Sequence, residues 1–163
     1  MAESTHGRRW VWVVAAVAVA VVAFVGWRQW SRWQGPDALP LDTPEVSAFS
    51  ERLRAENDDV SALAVTYRTA DDAVATVDVE VTGSAWEQGR AEELAQEVAA
   101  LARDEAFQAS ACERYAERYG HEAASLVVQA HFRSDHSGVA MDDFTYVLQG
   151  PDFEPRLTGG AAS

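Results

Sequence analysis

The chain has 163 residues and a formal charge of −13, and its 13 basic residues are all arginine. Without lysine, Schiff-base chemistry and a P-loop lysine are excluded. From Gln34 to Ser163 there are 25 acids and nine arginines, a charge of −16 that repels phosphate backbones, so we expect no nucleic acid partner. The single cysteine, Cys112, excludes an intramolecular disulfide.

The first nine residues form a short head, and an apolar segment follows it. Residues 10–27, "WVWVVAAVAVAVVAFVGW", carry no charge and would span roughly 27 Å as a helix, close to the hydrocarbon thickness of a bilayer. Side chains typical of a membrane interface lie at both ends: Trp10, Trp12, Trp27, Arg28, Trp30, Arg32 and Trp33. We therefore predict a transmembrane helix at 10–27 and an interfacial collar and linker at 28–43.

A cleaved signal peptide is the alternative, because Arg8 and Arg9 precede the apolar run. Apolar cores of signal peptides typically have about 7–15 residues and end at a small-residue cleavage site. Here bulky tryptophans follow a longer run, which favours a retained anchor. Arginines flank both ends, so the positive-inside count is a tie, but the short head favours a signal-anchor. We expect a single-pass plasma-membrane protein that contacts lipid and carries an extracytoplasmic C-terminal domain.

A helix and two strands open the soluble domain, which we place at 44–149. Thr43-Pro44-Glu45 combines a cap, a proline at the first helical position and an early acid, which predicts a helix to about Glu56. Apolar and polar residues then alternate over 60–69 and again over 75–82. This alternation predicts two half-buried strands joined by a turn.

A long helical stretch is predicted after the second strand. Ser84 and Glu87 have the spacing of a capping box, and an apolar stripe continues from there to Gly120. Such a helix would be long for a globular domain, and Phe107 lies off the stripe, so we predict a break between Asp104 and Ser110.

Two more alternating stretches, 126–132 and 139–149, predict a final pair of strands. The alternation changes phase at Asp142-Asp143, which predicts a bulge there. Residues 150–163 are predicted to be a disordered tail. The order is helix, strand, strand, helix, strand, strand, so we predict an α+β domain with one small antiparallel sheet and its helices on one face.

The stretch "VDVEVTGSAWEQGRAEELAQEVAAL", in which a strand ends in Thr-Gly-Ser and a helix follows, resembles BON domains, which are envelope modules associated with membranes. The resemblance covers about Pro44 to Leu101 and lies in the order of helices and strands. It departs from the family at Ala70-Asp71-Asp72, where that family usually has glycine, and at the longer final hairpin. It implies no functional residue.

Motifs for metal binding or catalysis are missing from the sequence. The side chains that could ligate a metal do not have the spacing of a standard zinc site; they are His121, His131, His136, Cys112 and Asp135. Asp142-Asp143 lacks the Asp-x-Asp-x-Asp-Gly calcium pattern, and Gly-x-Ser-x-Gly does not occur. We therefore predict no catalytic, cofactor-binding or metal-binding residue and no cofactor.

The polar face of the sheet is the most informative surface. Two strands contribute to it, and we define the candidate partner surface as Thr76, Asp78, Glu80, Gln129, His131 and Arg133. If these strands are neighbours, their charges are complementary across the ladder. An ordinary solvated sheet face is the alternative. We expect a non-catalytic interaction or accessory domain that binds a protein partner or itself; the alternative is a sensor module that holds a small molecule or cation between sheet and helices.

Overall fold

The structure, a computed structural model, describes residues 38–160 except 71, 137 and 138, and between 136 and 142 it describes the backbone alone. The predicted head, transmembrane helix and interfacial tryptophans lie outside the described residues. The helices are α1 (Pro44–Glu56), α2 (Gln88–Ala102) and α3 (Glu105–Tyr119). The strands are β1 (Ala38–Pro40), β2 (Val60–Arg68), β3 (Val74–Gly83), β4 (Ser125–His136), β5 (Val139–Gln149) and β6 (Glu154–Gly160).

The six strands form one mixed sheet in chain order, so the prediction of an antiparallel sheet is wrong. Strands β3 and β4 are parallel, while the other four neighbouring pairs are antiparallel. A parallel pair needs a long crossover connection, and α2 and α3 together supply it. The α+β class itself is confirmed.

Both edge strands lie outside the predicted domain of 44–149. Strand β1 falls in the predicted linker, and β6 replaces part of the predicted disordered tail. Two buried apolar side chains hold these ends on the domain, Leu41 after β1 and Phe153 before β6. Glycines and prolines lie near these side chains, so the local sequence indicated loops and not strands. Proline is tolerated in a strand at the edge of a sheet.

The start of α1 matches its prediction. Thr43 caps the helix, and its Oγ1 accepts a hydrogen bond of 3.3 Å from the Val46 backbone N–H, with Pro44 in the first turn. By contrast, the predicted capping box at Ser84 and Glu87 is wrong, because α2 begins at Gln88 and its cap residue makes no side-chain bond. The buried indole of Trp86 directs this segment into the core before the helix begins.

A helix break occurs as predicted, but it lies at Arg103-Asp104, between α2 and α3, at the start of the predicted interval of Asp104 to Ser110. The Asp104 carboxylate accepts hydrogen bonds from the backbone N–H groups of Ala106 and Phe107, at 2.9 and 3.0 Å, and so caps α3. The break also turns Phe107 inwards, where it is fully buried. The predicted bulge is confirmed as well: the register shifts after Phe132, which leaves Asp143 without a partner in the ladder.

The helices cover one face of the sheet and form a single apolar core with it. Alternate residues of the central strands point into this core: Val77, Val79 and Val81 from β3, and Val128, Ala130 and Phe132 from β4. The ring of Phe132 makes edge-to-face contacts with Trp86 and Tyr146, at centroid distances of 5.7 and 5.9 Å. The opposite face of the sheet, which we call the open face, carries the polar residues of the same strands.

An arginine joins the start of α2 to the loop between α1 and β2. Arg90 donates from Nε to Asp59 Oδ2 at 2.8 Å and from Nη2 to Asp59 Oδ1 at 3.0 Å, and it also contacts Asn57. These hydrogen bonds lower the pKa of Asp59 below its ordinary value of 3.8. The pair therefore stabilises the fold above pH 3.8, and this contribution is lost as the pH falls through the lower pKa of the folded state.

We expect Arg90→Ala to lower the free energy of unfolding at pH 7 by about 0.5–1 kcal/mol, a small value because both partners are about one-third exposed. The difference from the wild type should shrink as the pH is lowered below about 4. Urea titrations followed by circular dichroism at pH 7, 4 and 3 measure this. Arg114→Ala, which removes an exposed ion pair within α3, is the control for loss of a surface charge. A difference that stays constant with pH would contradict the assignment.

Candidate docking face

The residues of the candidate partner surface lie together on the open face. Strands β3 and β4 are direct neighbours, and Asp78 pairs with Gln129 and Glu80 with His131 in the register. Thr76 and Arg133 belong to the same polar rows of these two strands. The sequence therefore identified a set of side chains that the fold brings onto one surface, although their role as a binding surface stays a prediction.

Asp78 is the centre of this surface. It accepts hydrogen bonds from Arg68 Nη2 at 3.0 Å to Oδ1 and 3.2 Å to Oδ2, and His131 Nε2 lies 3.4 Å from its Oδ1. The side chains of Asp78 and His131 are each only 16% exposed, whereas Arg68 is 46% exposed. Neighbouring residues thus shield Asp78 and His131 from water, and the more exposed Arg68 lies on the other side of Asp78.

Glu80 and Arg133 form a second ion pair on this face, two residues further along β3 and β4 than Asp78 and His131. Arg133 Nε is 3.3 Å from Glu80 Oε2, at a distance that allows charge attraction but without the alignment of a hydrogen bond. The backbone of Arg133 is held from the other side of the sheet, because Trp86 Nε1 donates to its carbonyl oxygen at 2.9 Å. The core therefore fixes the position of this part of the open face.

The polar row continues onto β5 through Thr145. Thr145 Oγ1 lies 3.3 Å from His131 Nδ1, and the two residues are partners in the ladder. A hydroxyl, an imidazole and a carboxylate in line are the groups of a nucleophilic triad. However, Thr145 lies inside the sheet, paired with His131 on one side and Gly159 on the other, so its neighbouring backbone N–H groups serve the ladder. The geometry favours a structural polar network over catalysis.

Sequence reasoning missed Arg68 and Thr145 as members of this network. Both residues occupy polar positions in strands whose apolar and polar residues alternate, so each could be assigned to the polar face of its strand. Their participation depends on β2 lying beside β3 and β5 beside β4. Only the strand order supplies that information.

The ion pairs of the open face are balanced in charge, although the domain is acidic. They contain two arginines, Arg68 and Arg133, and two acids, Asp78 and Glu80, so their formal charges cancel when His131 is neutral. The chain from Gln34 onwards carries −16. A partner that covers these ion pairs therefore meets charges of both signs at fixed positions.

The candidate metal ligands whose side chains the structure describes lie apart in the fold: Cys112, His121, His131 and Asp135. Among the described residues, no group of three or more histidine, cysteine or acidic side chains is arranged to hold a metal ion. His121 lies against Tyr115 and Tyr119 at the end of α3, and His131 belongs to the network on the open face. Burial raises the pKa of the Cys112 thiol, which favours its protonated form at neutral pH.

A groove of about 340 Å³ opens at the ends of β4, β5 and β6. Its charged lining residues are Asp152, Glu154 and Arg156, and Leu126 and Val127 form part of its wall. It lies beside the turn between β5 and β6, which Arg103 holds by donating from Nε to the Asp152 carbonyl oxygen at 2.7 Å. The space between sheet and helices, where a bound ligand was an alternative expectation, is occupied by the apolar core.

Within the described part of the chain, no helix combines the length and the apolar character needed to cross a membrane. The interfacial residues Trp10, Trp12, Trp27, Arg28, Trp30, Arg32 and Trp33 lie outside that part. The resemblance to BON domains and the membrane assignment both stay predictions. No protein-family model matches the chain, and no curated protein or solved structure is significantly similar to it.

Proposed function

We propose that this protein is a non-catalytic interaction domain, held at the plasma membrane by its N-terminal segment, that binds a protein partner through the open face outside the cytoplasm. The observation that carries the proposal is the row formed by Arg68, Asp78 and His131 on three neighbouring strands of a sheet face that no described helix covers. A surface with charges already fixed in place needs little reorganisation when a partner binds.

The balanced ion pairs of the open face support a protein as the partner. Fixed opposite charges give orientation and selectivity to an interface more than they give affinity. An anionic membrane surface or a nucleic acid would need an excess of basic side chains, and the ion pairs of this face offer none. The anchoring part of the proposal rests on the uncharged run at 10–27 and its flanking tryptophans.

Photo-crosslinking in intact cells tests the docking face. A photoreactive residue in place of Gln129, at the centre of the open face, is compared with one in place of Glu51, which is exposed on α1. We expect one discrete adduct at 129 and much weaker labelling at 51. Arg133→Glu should reduce the adduct at 129 several-fold, because it opposes Glu80 with a like charge. Equal labelling at both positions, or none at 129, would refute the proposal.

Orientation is tested separately. A tag at the C-terminus of the full chain is exposed to protease in wall-stripped cells, while the mass of the membrane-bound product shows whether residues 1–33 are retained. Loss of the tag from a chain that retains its N-terminus supports an extracytoplasmic anchored domain. A protected tag would place the domain in the cytoplasm and overturn this part of the proposal.

A sensor module is the second candidate function, and the groove beside Arg156 is the observation that favours it. Its volume is at the lower end of the range for small-molecule sites, about 300–1,000 Å³. Thermal unfolding in the presence of divalent cations and of cell-envelope fragments separates the two functions. A saturable rise in the melting temperature that Arg156→Ala abolishes would favour the sensor. The docking proposal expects no such rise.

A further inference from the structure

Three charged side chains line the groove beside the turn between β5 and β6: Asp152, Glu154 and Arg156. Glu154 and Arg156 are two residues apart in β6, so their side chains project from the same face of the sheet and their Cα atoms are about 7 Å apart. Asp152 lies in the turn that precedes this strand, and all three residues are exposed. The groove therefore presents both signs of charge to a ligand.

The charges of the groove are not used by the domain itself. Within the described part of the chain, none of these three side chains forms an ion pair or a side-chain hydrogen bond. By contrast, Arg68 and Arg133 on the open face contact acids of a neighbouring strand. The two carboxylates and the guanidinium of the groove therefore remain available to a ligand.

The turn that carries Asp152 is held by contacts with the rest of the domain. Gly150 and Phe153 have positive φ angles of 84° and 48°, in a region that a bulky residue rarely adopts. Phe153 is buried in the core, and Arg103 Nε donates a hydrogen bond of 2.7 Å to the Asp152 carbonyl oxygen. These two contacts stabilise the unusual backbone conformation. The groove is thus formed before a ligand binds, which lowers the entropic cost of binding.

Another part of the groove wall is apolar. Leu126 and Val127, at the start of β4, are half-buried, and Pro151 belongs to the turn. Such a wall favours a short chain of methylene groups, because contact with it removes their apolar surface from water. The ligand that fits the groove therefore combines charged groups of both signs with a short apolar stem.

We propose that the groove binds an amino acid with a second ammonium group on its side chain, of which lysine and ornithine are examples. The charged residues of the groove carry −2 + 1 = −1, and such an amino acid carries +2 − 1 = +1 at neutral pH. Arg156 pairs with the carboxylate of the ligand, Glu154 with its α-ammonium group and Asp152 with its second ammonium group. The methylene stem lies against Leu126 and Val127.

The balance of charge distinguishes this ligand from other small molecules. An inorganic anion would face two carboxylates, and an amino acid with an uncharged side chain would leave one of them unpaired. The inference rests on the second candidate function. The groove shares no residue with the candidate partner surface, so photo-crosslinking at 129 tests docking independently of this ligand.

Nuclear magnetic resonance of the isotope-labelled full chain in detergent micelles tests the ligand, because it detects weak binding to an open groove. We expect L-lysine to shift the backbone amide signals of Val127, Gly150 and Asp152 in a saturable manner. Norleucine has the carbon chain of lysine without the second ammonium group, and cadaverine lacks the carboxylate. Each should bind about tenfold more weakly than lysine, since each loses one hydrogen-bonded charge pair.

Variants that remove one charge at a time test the assignment of each group. Glu154→Gln and Arg156→Gln should each weaken lysine binding about tenfold, and Asp152→Asn should remove the preference for lysine over norleucine. Arg114→Gln and Glu117→Gln, which remove the same charges from an exposed ion pair on α3, are the matched controls and should bind lysine as the wild type does. Amide signals far from the groove show that each variant is folded.

The absence of saturable shifts with lysine, equal binding of lysine and norleucine by the wild type, or equal loss in the groove and control variants would overturn the proposal. A rise in the melting temperature with cell-envelope fragments, together with no response to lysine, would reject this class of ligand and leave the sensor function standing.

Discussion

Trp86→Ala is expected to destabilise the domain by about 3–5 kcal/mol, the cost typical of removing a large aromatic side chain from a core. Trp86 is 8% exposed, and its ring contacts Phe132 edge-to-face. Its Nε1 also donates a hydrogen bond of 2.9 Å to the carbonyl oxygen of Arg133. Alanine would leave a cavity beside Phe132 and remove the hydrogen bond that fixes the backbone under the open face.

Denaturant titration of the full chain, followed by far-UV circular dichroism, measures this loss. Trp86→Phe is the control, because it keeps an aromatic ring but leaves the Arg133 carbonyl without its donor. We expect the phenylalanine variant to lose about 1–3 kcal/mol, the cost of a buried polar group left unpaired together with a smaller ring. If Trp86→Ala lost less than about 1 kcal/mol, Trp86 would not be part of the core as described.

The second large effect is expected at Gly83, where alanine should destabilise the domain by about 1–3 kcal/mol through overpacking. A Cβ atom at this position would lie 2.5 Å from Trp86 Cζ2 and 2.6 Å from the Asp59 carbonyl oxygen. The indole has little space to move, and the Asp59 backbone lies in the loop that Arg90 holds. The end of β3 therefore requires glycine because two neighbours approach it closely.

Gly89→Ala is the matched control for this substitution. Gly89 lies in the first turn of α2, and nothing lies within 4 Å of a Cβ atom built there. Alanine favours a helix over glycine by up to about 1 kcal/mol, so this variant should be neutral or more stable. Parallel thermal unfolding of the two variants provides the comparison. A Gly83→Ala chain as stable as Gly89→Ala would contradict the tight packing between β3, Trp86 and Asp59.

Alternation of apolar and polar residues was a reliable guide to the central strands. It predicted β2 to β5 and the face of each strand that points inwards, because burial on one side imposes a two-residue period. It also located the bulge, since the phase change at Asp142-Asp143 is the signature of an extra residue. Period alone gives no information about neighbours, which is why the parallel pairing of β3 and β4 was not predicted.

The edges and the start of α2 were missed for a different reason. Strand β1 has only three residues, and both edge strands contain proline or glycine, so their local sequence resembles that of loops. They form because Leu41 and Phe153 are buried against the rest of the domain. At Ser84 and Glu87 the capping pattern was overruled by the burial of Trp86. In each case a tertiary contact outweighed local preference.

The candidate docking face was predicted in its composition but not in its connections. Asp78, Glu80, His131 and Arg133 could be assigned to a polar face from the alternation of their strands. Their pairing required β3 beside β4, and the roles of Arg68 and Thr145 required the order of the neighbouring strands as well. The alternation within one strand can be recognised from its own sequence. Contacts across four strands depend on the order of the strands in the folded sheet.

The parallel junction between β3 and β4 also affects how the domain assembles. Strands β2 and β3 form a hairpin, and β4, β5 and β6 form a meander, so each group can form from contacts near in sequence. Strands β3 and β4 are separated by the 41 residues that contain α2 and α3, and contacts across such a separation form slowly. We therefore expect the two groups to join late in folding. The pair of Asp78 and His131 crosses this junction, so only a fully folded chain presents it, and under the proposed function an incompletely folded chain would lack the docking face.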